Sequence, residues 1–94
     1  MAAPKARATP RPFELHWGKG QIVEEAAYAG EHHEPSVQLL EFDDGYVAVR
    51  FCYYDHAGRF QRSPLIVNDS EMEGMRAALK RTPRLREMLR KLVQ

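Results

Sequence analysis

This chain has little from which a covalent or membrane-spanning framework could be built. It contains one cysteine, Cys52, in 94 residues, so an internal disulfide is excluded and a reducing, cytoplasmic setting is the expectation. No apolar run approaches the ~20 residues of a bilayer-spanning helix, and no apolar segment follows the first basic residues as a secretory signal requires. CxxC and HxxxH are both absent, which removes common zinc-ligand spacings. What remains, 44% hydrophobic and 29% charged residues, is the balance of one small soluble globular domain with no membrane partner.

The net charge of +1 conceals a segregation along the chain. Residues 1–20 carry +3, residues 21–75 carry −8 and residues 76–94 carry +6. A basic tail beside an acidic body fits an anionic partner. It fits equally well two patches that neutralise each other within a monomer or across a dimer.

Residues 36–67 are where alternation, turn chemistry and aromatic content agree, and they read as two successive hairpins. Val47, Val49, Phe51 and Tyr53 alternate with Ala48 and Arg50, the period of a strand with its apolar face buried. Asp43-Asp44-Gly45 turns the chain before this strand and Asp55-His56-Ala57-Gly58 turns it after. Before it, Val37 and Leu39 fall on one face and Leu40 and Phe42 on the other, which implies a bulge or a strand covered on both sides. After it, Pro64 marks residues 60–67 as an edge strand or a bulged one.

Residues 1–12, with prolines at 4, 10 and 12, read as a disordered basic arm able to meet phosphates through Lys5, Arg7 and Arg11. Residues 13–17 read as a short strand, Gly18-Lys19-Gly20 as its turn, and residues 21–29 as a further strand despite the helix formers Glu24 to Ala27. Near the C-terminus, Ser70 and Glu73 stand at capping-box spacing. Met72, Met75 and Leu79 then form a stripe expected to cover the sheet. Thr82-Pro83 breaks this helix and starts another, with the stripe Leu85, Leu89 and Leu92.

Several residue groups invite a chemical reading. His32-His33 between Glu31 and Glu34 offers ligand types but not a tetrahedral spacing, so no metal or cofactor is assigned. Cys52 and His56 offer a nucleophile and a base without an orienting third group, so no catalytic residue is assigned. The larger group is aromatic and basic: Tyr46, Arg50, Tyr53, Tyr54, Arg59, Phe60 and Arg62 around one hairpin. Single-stranded nucleic acid binds where bases stack on rings and cations follow the phosphates. The same rings also serve as ordinary sheet aromatics.

The run from Val49 to Gly58, an Arg followed by an aromatic pair and an Asp-x-x-Gly turn, then a strand and the helix start at Asn68, resembles the positive-cofactor-four-like family of single-stranded DNA-binding transcriptional coactivators. The resemblance extends over residues 41–92. It implies a dimer of four-stranded sheets with helices, base stacking on Tyr53, and phosphate contacts from Arg50, Arg59 and Arg62. The chain departs from that family in a shortened loop after Gly58 and in the break at Thr82-Pro83.

The expectation is therefore an α+β domain over residues 13–94: a twisted antiparallel sheet of four or five strands packed against a broken C-terminal helix. Its expected role is non-catalytic binding of single-stranded DNA or RNA, with a role in transcription, as a homodimer. The binding residues would be Arg50, Tyr53, Tyr54, Arg59 and Arg62, assisted by Arg84, Arg86, Arg90 and Lys91. The alternative is a protein-interaction or homodimerisation module with no nucleic-acid activity.

Overall fold

A computed structural model describes residues 7–61 and 64–94. Five strands, β1 (Arg11–Leu15), β2 (Gly18–Ala27), β3 (Glu34–Phe42), β4 (Val47–Tyr54) and β5 (Leu65–Asn68), form one antiparallel sheet in sequence order. A single 3-10 turn (Asp69–Glu71) leads into α1 (Met72–Leu79) and α2 (Pro83–Val93). The α+β class, a strand through residues 21–27 of the expected 21–29, the Asp43-Asp44-Gly45 turn and the break before Pro83 are as the sequence implies.

One inner face of the sheet holds the core. Phe13, Ile22, Leu40, Phe42 and Ala48 are buried there, with Leu15 and Ile66 packed against them. Arg11 on β1 donates to the Tyr54 hydroxyl on β4 at 3.2 Å, across three strand spacings, which is about 14 Å in a flat sheet. The sheet is therefore curled toward this face, and it closes over its own side chains without a covering helix. A bulge in β2 between Ile22 and Glu24 adds local bend and twist.

This curl reverses one expectation. The period of β4 is right, but the buried side is the one bearing Ala48, Arg50 and Tyr54, while Val47, Phe51 and Tyr53 face outward. Apolarity does not choose the face here. The concave side is the one β1 folds over, where Arg11 reaches the Tyr54 hydroxyl.

The glycines of β2 explain a second correction. The β1–β2 turn is His16-Trp17, and Gly18 and Gly20 lie within the strand instead of forming the turn. A Cβ on Gly20 would stand 2.1 Å from the Glu41 carbonyl oxygen, and one on Gly18 would stand 3.2 Å from the Phe42 ring. Close packing against backbone, not turn geometry, requires glycine at position 20, and at position 18 a side chain would make the Phe42 ring give by a few tenths of an ångström.

Three further expectations shift. Residues 60–67 are not one strand: Phe60 makes a single bridge to Tyr54, and β5 begins only at Leu65. The capping box is formed by Asn68 and Glu71, not Ser70 and Glu73, with Asn68 Oδ1 accepting from the Glu71 N–H and Glu71 Oε1 accepting from the Asn68 N–H, both at 3.0 Å. The stripe meant to cover the sheet remains open, since neither helix contributes a buried residue and Met72 and Met75 are exposed. Among the described residues, no helix is long and apolar enough to cross a membrane.

Gly20→Ala should cost at least about 2 kcal/mol, because backbone on β3 has to move. Urea denaturation of the two proteins checks this, and an unchanged midpoint would contradict the close-packing role.

Candidate nucleic-acid interface

The inner face has two chemically different ends. Toward Phe42 it is apolar. Toward Glu34 it is a polar network organised by Glu25, whose side chain is only 6% exposed. Its carboxylate accepts from Arg11 at 2.9 Å, from the Ser36 hydroxyl at 2.7 Å and from the Gln38 amide at 2.8 Å. The same Gln38 amide donates to the Tyr54 hydroxyl at 2.9 Å, and the Gln38 Oε1 accepts from Arg50 Nε at 2.7 Å. Burial pushes the Glu25 carboxyl up, but the hydrogen bonds from Arg11, Gln38 and Ser36 and the Arg11 charge outweigh it and hold the group at about 2.

Arg7 closes this end from the chain's start. It pairs with Glu34 at 2.7 Å, and its guanidinium carbon lies 3.8 Å from the centre of the Tyr54 ring. Arg11 and Pro12 form the first rungs of β1, so the sheet begins two residues before the expected domain start.

Arg50 is 5% exposed. Its guanidinium lies 4.7 Å from the Phe60 ring centre and 5.9 Å from that of Phe13. No described carboxylate pairs with it, and residues 1–6, 62 and 63 contain no Asp or Glu. Among the described residues the terminal nitrogens of Arg50 have no oxygen acceptor, and no buried polar side-chain atom lacks a partner. Arg7, Arg11 and Arg50 against Glu25 and Glu34 leave this end with one surplus positive charge.

The Asp55 turn places Phe60 beside Arg50. Asp55 Oδ1 accepts from the Ala57 and Arg59 N–H groups, Gly58 takes a positive φ of 85°, and the Tyr54 and Phe60 rings meet edge-on at 5.4 Å. The Arg59 backbone N–H, then its guanidinium at 2.8 Å, holds the Asp55 carboxyl below its ordinary range.

The remaining expected binding residues do not share one surface. Tyr54 is buried on the inner face with its hydroxyl and one ring face occupied. Tyr53 is on the outer face, exposed and edge-on to His33. Arg84, Arg86, Arg90 and Lys91 are exposed on α2, whose Leu92 faces outer-face residues Ala26, Val37 and Phe51 across a concavity of about 530 Å³. Arg62 lies outside the described residues. Sequence reading missed the organisers Glu25, Ser36 and Gln38, since nothing local marks Glu25 rather than Glu24 as the inward acid.

The other candidate groups have structural uses. Burial raises the Cys52 thiol above its ordinary range, with the Arg50 charge opposing, the reverse of what a nucleophilic thiolate needs. His56 Nε2 lies 3.0 Å from the Gly30 carbonyl oxygen and links two loops. Among the described residues, no three His, Cys, Asp or Glu side chains are grouped to hold a metal ion.

Comparisons with protein-family models, with curated proteins and with solved structures return no match for this chain.

Because the Glu25 carboxyl is depressed in the folded state, its stabilisation is complete above its unfolded value near 4.5 and declines as pH falls toward about 2. Glu25→Gln should lose roughly 2–3 kcal/mol at neutral pH and show a flatter acid limb. Urea denaturation at pH 7 and pH 3 measures both, and an acid limb as steep as that of the parent would count against this role for Glu25.

Proposed function

We propose that this chain is a non-catalytic nucleic-acid-binding protein that takes single-stranded DNA or RNA at the arginine end of the inner face and acts as a homodimer. The observation that carries the reading is Arg50: an arginine only 5% exposed as a residue, its guanidinium beside the Phe60 ring and facing no described carboxylate. A phosphate supplies the missing negative charge, and Phe60, 41% exposed, offers a ring for a base beside it. Arg7, Arg11 and Arg59 stand around the same end. The resemblance to single-stranded DNA-binding coactivators runs through the same Arg50 and Asp55 segment and extends the reading to transcription.

A specific observation also favours association of two copies. Val47, Phe51 and Leu65 on the outer face, and Met88, Leu89 and Leu92 on α2, are all exposed. Helices of 8 and 11 residues are marginal in water unless an apolar face is covered. A second copy covers both sets, and it brings basic α2 toward the acidic body of its partner. Dimerisation without any nucleic acid is the second reading.

Fluorescence anisotropy of a labelled single-stranded 20-mer separates the two. Binding should weaken with added salt. Phe60→Ala should cost affinity by about 1–3 kcal/mol, and Arg50→Met should cost at least as much, with folding checked by circular dichroism. Failure to bind at low salt would reject the nucleic-acid reading. Light scattering should give twice the chain mass for the parent and the chain mass for Leu89→Asp; a monomeric parent would overturn the dimer.

A further inference from the structure

The apolar end of the inner face opens into a cup that the nucleic-acid reading leaves unused. Its volume is about 610 Å³, and Trp17, Phe42, Tyr46, Asp43, Asp44 and Glu71 contribute to its wall. These residues come from the β1–β2 turn, the end of β3, the β3–β4 turn and the 3-10 turn after β5, which the antiparallel strand order puts at one end of the sheet.

The aromatic part is braced. Trp17 stacks on Phe42 with ring centres 5.3 Å apart and planes 23° from parallel, and Phe13 meets Phe42 edge-on at 5.0 Å. Gly18 leaves room for the Phe42 ring. One face of Trp17 is thus fixed from below, while the residue remains 59% exposed, as does Tyr46.

The charged part is anionic and uncompensated. Asp44 Oδ1 accepts from the Tyr46 N–H and Glu71 Oε1 from the Asn68 N–H, which fixes both carboxylates and leaves the second oxygen of each without a partner among the described residues. No Lys or Arg among the described residues pairs with Asp43, Asp44 or Glu71. Lys19 is the single cation of the lining among the described residues, so these residues give the cup a net charge of −2.

Exposed ring faces attract cations through their quadrupole, and free carboxylate oxygens accept N–H donors. A phosphate-bearing ligand meets repulsion here. We propose that the cup binds the cationic head of a lysine or arginine side chain presented by a basic peptide partner. The inner face then has opposite preferences at its two ends, an anion at Arg50 and a cation at Trp17.

Trp17 is the only tryptophan of the chain, so its emission reports directly on occupancy. The parent protein is titrated with tetralysine, tetra-arginine and n-butylammonium chloride, against sodium chloride at matched ionic strength and n-butanol. The expected result is a saturable change with the peptides and the ammonium, none with n-butanol, and a peptide midpoint raised roughly fivefold in the Asp43→Asn/Asp44→Asn variant. Asparagine keeps the oxygen that caps Tyr46, so the turn is retained. Tyr46→Ala, which leaves the carboxylates in place, should also weaken binding. A response that does not saturate, one reproduced by n-butanol, or one unchanged in both variants overturns the proposal. So does quenching by single-stranded DNA that the peptides do not match. The peptide, ammonium and butanol outcomes do not depend on whether Arg50 binds nucleic acid.

Discussion

The fold turns on one buried carboxylate. Glu25 gathers Arg11 from β1 and Ser36 and Gln38 from β3, and Gln38 carries the connection to Tyr54 and Arg50 on β4. Four strands are thereby tied at one end of a face that has no covering layer. Buried polar groups of this kind are costly unless each is satisfied, and here none among the described residues lacks a partner. The curl brings the partners together, and the network in turn holds the curl, so the two stand or fall as a unit.

The same arrangement explains where the apolar surface went. Arg50, Gln38, Ser36 and Tyr54 fill the concave half that an ordinary core would fill with aliphatic side chains. The displaced apolar residues of β4 and β5 and those of both helices stand outside. Among them Phe51, Leu65, Met88, Leu89 and Leu92 are exposed, whereas Val67 is buried. Polar inside and apolar outside are two sides of one choice, made by the direction of curling.

What could be read from the residues was what depends on near neighbours. Alternation located the strands, Asp-Asp-Gly and Asp-x-x-Gly located the turns, and Pro83 located the break between helices. Which face of β4 is buried was not legible, because that depends on β1, more than thirty residues away. The roles of Gly18 and Gly20 were hidden for a similar reason, since the atoms they make room for belong to Phe42 and to the Glu41 backbone. At the candidate site, Arg50 and Phe60 stood out by type and proximity. Glu25 did not, and neither did the Trp17 cup, whose walls come from segments separated by most of the sheet. Tyr54 reads as a binding residue because a sequence shows a ring but not what already lies against it.

The bulge in β2 separates shape from surface. Ile22 pairs with Leu40 and Glu24 with Leu39, so Val23 is a supernumerary residue between two rungs. It absorbs one position of the chain, and Glu25 therefore shares the inner face with Ile22 although the two are three residues apart. A strand one residue shorter at this point would present the same side chains on the same faces. It would lose only bend, and with it the reach that lets β1 meet β4. Curvature in this sheet thus depends in part on the extra residue at position 23, and the inner-face network depends on it in turn.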